Sequence, residues 1–160
     1  MTGFNIGIGK LGRVLIIKVE PGLDLLSTIL VVIEKECINN GLILSAVGSL
    51  RKATLRNLKV FPEHFPITDK YRLFKVIEGQ PLEITSLTGN ISRKADGEVI
   101  IHAHITVSSI KSGEVVAMGG HLVEGNITYV MTEIVIAELE GVKLQRILHP
   151  ERKSWELTFG

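Results

Sequence analysis

Residues 99–109 alternate without interruption. Val99, Ile101, Ala103, Ile105 and Val107 fall on one side of an extended chain, and His102, His104, Thr106 and Ser108 fall on the other. A period of two sustained over this length reads as a strand with one buried face, and Lys111-Ser112-Gly113-Glu114 just beyond it has the chemistry of a tight turn. With Ser112-Gly113 as a two-residue loop, His104 stands opposite His121, Val107 opposite Met118, Ile105 opposite Gly120 and Ala103 opposite Leu122. The apolar face then stays apolar across both strands, so the first expectation is an antiparallel hairpin inside a larger sheet. A three-residue loop with a bulge at Gly113 would slip the pairing by one and turn His121 to the other face, unless Gly119-Gly120 supplied a second bulge.

The rest of the chain supports a sheet. Short, β-branched or alternating runs cover Val14 to Val19, Leu42 to Ser45, Thr54 to Phe61, Tyr71 to Ile77, Leu82 to Gly89, Val115 to Val123 and Ile127 to Ile136. Turn residues separate them, as in Glu78-Gly79-Gln80-Pro81 and Glu124-Gly125-Asn126. One helix is expected, because Leu26, Ile29, Leu30, Ile33 and Cys37 follow helical spacing after Asp24, a natural N-cap. Asn39-Asn40-Gly41 supplies its stop, and Cys37, on the apolar stripe, reads as a buried inert thiol. The fold class is therefore α+β, mostly antiparallel sheet with one main helix packed on it. Residues 1–12 read as a flexible glycine-rich arm and residues 13–160 as a single domain.

Composition narrows the function. Eighteen Lys and Arg against 17 Asp and Glu leave +1, so no overall field draws the chain to nucleic acid or an anionic membrane. Apolar residues make up 45% and the mean hydropathy is +0.30, which excludes disorder and favours an oligomer that covers apolar surface. The longest apolar run, Ile29 to Ile33, is far short of the ~18 residues of a membrane-spanning helix. Met1 to Gly9 lacks a basic segment followed by an apolar block, so the expected compartment is the cytoplasm, with no membrane partner. Gly7-Ile8-Gly9-Lys10-Leu11-Gly12 has the letters of a dinucleotide-binding turn but not its setting. Such a turn needs a strand before it and a helix after it, whereas a strand follows here.

The histidines carry the chemistry. Directly opposed side chains have Cβ atoms about 5 Å apart, and residues two apart on a strand lie roughly 6.5 Å apart, so His102, His104 and His121 converge in the two-residue-loop register. Three imidazoles suit one divalent ion, zinc above all, with a further position left open for a ligand. In this register His104 lies between the other two, so its loss is expected to hurt most. His64 and His149 lack such company and read as solvated. Glu133 and Glu83 are the candidate carboxylates, either to orient an imidazole or to serve as a general base. Arg51, Lys52 and Arg56 are the candidate contacts to nucleic acid, although alternation sets Arg51 against Lys52 and the 5% aromatic content offers no stacking platform. Gly119-Gly120 within a strand marks a bulge or a close approach by a ligand or a neighbouring subunit.

Six segments, in order, resemble the plants-and-prokaryotes conserved (PPC) domain. They are Pro21-Gly22-Leu23-Asp24-Leu25, Ala46-Val47-Gly48-Ser49-Leu50-Arg51, residues 81–89, His102-Ala103-His104, Gly119-Gly120-His121-Leu122 and Thr132-Glu133-Ile134-Val135-Ile136. The resemblance implies one helix packed on an antiparallel sheet, assembly as a homotrimer and, in some bacterial and archaeal members, a metal at the histidines. In land plants the domain follows an AT-hook with an Arg-Gly-Arg-Pro core, to which Gly12-Arg13-Val14 is the nearest approach here. Two positions depart from the pattern. Leu23 stands where an acidic residue is common, and Lys18 where arginine is common, losing the bidentate fork. The functional expectation is a regulatory, nominally DNA-binding homotrimer with a three-histidine metal site. The alternative is a metal-dependent enzyme or a binder of an unknown small ligand that uses the same histidines.

Overall fold

The computed structural model describes residues 3–160. In chain order the elements are β1 (Lys10–Val19), α1 (Leu25–Lys35), β2 (Gly41–Leu58), a short 3-10 turn (Asp69–Tyr71), β3 (Arg72–Lys94), β4 (Val99–Lys111), β5 (Glu114–Leu122), β6 (Ile127–Glu140), β7 (Leu144–Leu148) and β8 (Trp155–Phe159). The strands form one sheet in the order β1-β6-β2-β5-β4-β3-β7-β8, antiparallel except where β3 meets β7. Because β2 also pairs with β3 along its other edge, β2, β5, β4 and β3 close into a ring. Leu55, Ile77, Leu87, Ala103, Ile105 and Val107 share a single core with Leu25, Ile29 and Ile33 of α1. The opposite face of β4, which carries the histidines, is the outer one.

Asp24 does two jobs. Its Oδ1 accepts from Ser27 N at 3.0 Å and caps α1, while Oδ2 accepts from Gly125 N at 2.7 Å and Asn126 N at 3.1 Å. The start of the helix is thereby tied to the turn between β5 and β6. The end of α1 differs from expectation. The helix stops at Lys35, and the left-handed position falls on Cys37 (φ 55°). Ile38 N then donates to Ile33 O at 3.0 Å and Cys37 N to Glu34 O at 3.2 Å, a Schellman closure with Ile33 and Ile38 both fully buried beside it. The Cys37 thiol is consequently exposed, not buried. The apolar stripe continues through Ile38, which the closure returns to the core.

Three further differences concern the strands. Leu42 to Ser45 and Thr54 to Leu58 belong to one strand, β2, which ends before the expected Phe61, and the residues on both sides of Gly79-Gln80-Pro81 belong to another, β3. Gly79 (φ 81°) makes a bulge there, since two steps along β2 from Leu50 to Lys52 match four along β3 from Leu82 to Glu78. Strands β7 and β8 were not expected from the sequence. They form a short hairpin, and Lys94 Nζ at the end of β3 lies 4.4 Å from the centre of the Trp155 ring in β8. β1 starts at Lys10, so the last three residues assigned to the arm belong to the sheet.

Candidate metal centre

The β4–β5 hairpin adopts the two-residue loop, with Lys111 opposite Glu114, Val107 opposite Met118, Ile105 opposite Gly120 and His104 opposite His121. No bulge interrupts it. What approaches Gly119 and Gly120 is the chain itself. A Cβ on Gly120 would lie 3.0 Å from Arg56 O, one on Gly119 would lie 2.7 Å from Thr106 Oγ1, and Asn57 Nδ2 donates to Gly119 O at 2.9 Å. The small residues let β2 and β5 cross closely, which fixes His121 beside Arg56.

The three imidazoles form a nearly equilateral cluster. Ring centres are 5.6 Å apart for His102 and His104, 4.9 Å for His102 and His121, and 5.1 Å for His104 and His121. One ring nitrogen from each lies within 4.8 Å of the others. His104 Nε2 and His121 Nδ1 are 3.4 Å apart, close to the ~3.3 Å that ~2.0–2.1 Å bonds impose on two ligands of a tetrahedral ion. His104 is therefore not the middle member of a row, since the shortest centre-to-centre separation joins His102 and His121. A side chain on β4 and one on β5 can lean together across the sheet surface, which strand register alone does not reveal.

The electrostatics suit a ligand set. Burial, then Arg56, His102, His104 and Arg72, push the His121 imidazole down from 6.5 to about 4. Burial, then Arg146, His104 and Arg56, lower that of His102. Both rings are thus held neutral at ordinary pH, the form that donates a lone pair to a metal. The donor set and its spacing fit a divalent ion.

The other candidates lie elsewhere. Glu133 is exposed and pairs with Val47 and Lys18; Val47 is nine residues along β2 from the Arg56–His121 pairing, roughly 25–30 Å at ~3.3 Å per residue. It does not orient an imidazole within the chain, because β6 runs beside residues 41–52 of β2, whereas β5 takes up that same edge only at Leu55 and Arg56. Glu83 shares the outer face of β4 but pairs with Ser108, four residues and ~13 Å from His104, and is out of hydrogen-bonding reach. Arg51 is exposed, beside Gly79, Gln80, Pro81 and Tyr129. Lys52 lies 3.9 Å from Glu78. Arg56 stands beside His121, so the basic cluster is divided among three surroundings. His64 is exposed, whereas His149 Nδ1 accepts from Glu151 N and Arg152 N at 3.2 and 3.1 Å and caps a turn. Arg146, which the sequence reading passed over, is buried beside His102. Its only sequence signal is an arginine amid the apolar residues of a short strand.

Solved structures show the same architecture. A metal-containing protein from Archaeoglobus fulgidus is 26% identical, with a TM-score of 0.74 over 97% of this chain and 99% of its own. A plant- and prokaryote-conserved protein from Pyrococcus horikoshii is 32% identical, with a TM-score of 0.71 over 96% and 97%. A Bacteroides thetaiotaomicron protein, named provisionally as DNA-binding, is 22% identical, with a TM-score of 0.73 over 96% and 99%. Among curated proteins, a bifunctional protein GlmU from a Synechococcus strain is 30% identical over 88% of this chain. The chain spans about a fifth of the length of the curated relatives it matches. Residues 7–140 match the Plants and Prokaryotes Conserved (PCC) domain, the family written PPC above, and the chain belongs to it.

Proposed function

We propose that this chain is a homotrimeric, cytoplasmic metal-binding protein that holds one divalent ion, zinc, on His102, His104 and His121. The convergence of three imidazole nitrogens within 4.8 Å carries the reading. The name of the A. fulgidus relative supports it. Three imidazole nitrogen donors would leave the ion open to a further ligand, the chemistry that lets such a centre polarise or hold a small molecule. Among the described residues no carboxylate acts on His102 or His121, so the binding of a ligand is favoured over hydrolysis by a carboxylate base.

Trimer assembly draws support from apolar side chains left in solvent on the β1-β6-β2 part of the sheet. Ile16 is 80% exposed, Val47 56%, Val130 55% and Met131 45%. No helix among the described residues is long and apolar enough to cross a membrane. A second reading, a DNA-associated regulator, rests on the provisional name of the B. thetaiotaomicron neighbour.

Elemental analysis of untagged protein purified without chelator, paired with light scattering, tests the proposal. About one zinc per chain and three times the 17.6 kDa chain mass are expected. Metal-free protein overturns the first half, and a single-chain mass at micromolar concentration overturns the second.

A further inference from the structure

The charges around the histidines are one-sided. Every charged or ionisable group that acts on His121 is basic: Arg56, Arg72, His102 and His104. Those acting on His102 are Arg146, His104 and Arg56. Arg72 is compensated by Asp69 at 2.9 Å. Arg56 is not. It is half-buried, stands directly opposite His121 in the β2–β5 pairing, and makes no side-chain hydrogen bond or ion pair with any described residue. The one carboxylate that acts on it, Asp69, is already held by Arg72. A guanidinium half removed from water with its donors unused is costly to keep without a partner.

Arg146 flanks the cluster on its other side. It is 6% exposed and is fixed by three uncharged acceptors: Ser92 Oγ at 3.0 Å, Asn90 Oδ1 at 2.6 Å and Trp155 O at 3.3 Å. Asn90 pairs directly with His102, so this bond aims the guanidinium toward the trio. The strand order β2-β5-β4-β3-β7 thus sets one arginine on each side of the imidazoles, and neither has a carboxylate partner among the described residues.

We infer that the histidine face is a binding site for a small oxyanion-bearing molecule, a phosphate or a carboxylate, with Arg56 as the contacting residue and Arg146 as a fixed positive charge. The inference rests on the metal reading for part of its force, because a dication on the trio would add to a field that already lacks a counter-charge. It also stands on the two arginines themselves. The Arg56 fork presents parallel N–H groups of the kind that grip a carboxylate or phosphate through two hydrogen bonds, on the residue paired with His121.

The test is calorimetric titration of inorganic phosphate and, separately, acetate into the full chain, zinc-loaded and chelator-treated, as wild type, Arg56→Gln and Arg56→Lys. The expected result is binding of at least one anion by wild type, weakened about tenfold or more in Arg56→Gln with zinc content unchanged. Arg56→Lys should fall between the two, because it keeps the charge and loses the fork. The anion bound more tightly identifies the class. Equal binding by wild type and Arg56→Gln, or no binding of either anion in either form, overturns the inference. Absence of zinc from wild type overturns the metal reading instead, and the chelator-treated titrations then decide the role of Arg56. Arg146 is left unaltered, since its three hydrogen bonds join β7 and β8 to β3.

Discussion

His104 Nε2 and His121 Nδ1 face each other at 3.4 Å across the β4–β5 hairpin, and His102 closes the triangle. Since no member sits between the other two, replacing any one by alanine should lower zinc affinity by more than the ~10–100-fold that loss of an outer partner costs. His64→Ala should leave it unchanged. Zinc content after dialysis against a weak chelator distinguishes these outcomes. Retention in any of the three single variants contradicts a shared centre.

His121 also sets a pH dependence in the metal-free protein. Its folded-state value is about 4 against an ordinary 6.5. Between those values the unfolded chain carries a proton that the folded chain refuses, so stability falls as pH drops from about 6.5 to about 4 and is fully present above that window. His102 acts in the same direction. A loss on the order of 1–2 kcal/mol is expected after solvent screening, read as a lower urea midpoint at pH 5 than at pH 7.5. The drop should shrink in His121→Gln. An unchanged drop in that variant assigns the effect to other groups.

Gly89 is where β3 touches the site. A Cβ there would lie 2.4 Å from His102 O and 2.6 Å from Ala103 Cα, both backbone atoms of β4 that cannot rotate aside. Gly89→Ala should destabilise the fold by about 1–3 kcal/mol and reduce zinc retention by displacing His102. Thermal melting and elemental analysis check the two halves. A variant as stable as wild type would mean that β4 shifts freely.

DNA binding should be weak and salt-sensitive. Lys52 is engaged by Glu78 and Arg56 stands at the histidines, which leaves Arg51 on a surface of its own. Lys52→Ala is expected to change the binding of a labelled duplex by less than about threefold at physiological salt. Fluorescence anisotropy showing a nanomolar, sequence-selective complex would reverse this reading.

The hairpin was legible in the sequence because its evidence is local. Alternation fixes the face of His102 and His104, and Ser112-Gly113 fixes the register that brings His121 across. The distance from Glu133 to that face depends on β5 and β6 following one another along the same edge of β2, a long-range pairing that no spacing in the chain encodes. Arg56 was visible as a basic residue, but its place beside His121 required the crossing of β2 over β5. Cys37 was misplaced because periodicity marks which residues are apolar and not where the helix stops. The joining of the two halves of β3 was missed because Gly79-Gln80-Pro81 has the letters of a turn and serves as a bulge.

All three imidazoles come from one hairpin, and His104 and His121 are separated by only 17 positions in the chain. Loops of that size close at little entropic cost, and hairpins form in about 1–10 μs, long before a ring that needs β2 against both β3 and β5 can assemble. A hairpin slipped by one residue turns His121 to the apolar side and offers an ion two donors, whereas the native pairing offers three. An ion that bound the trio while the chain was still folding would therefore select the correct strand pairing and act as a proofreader of register before the core had formed.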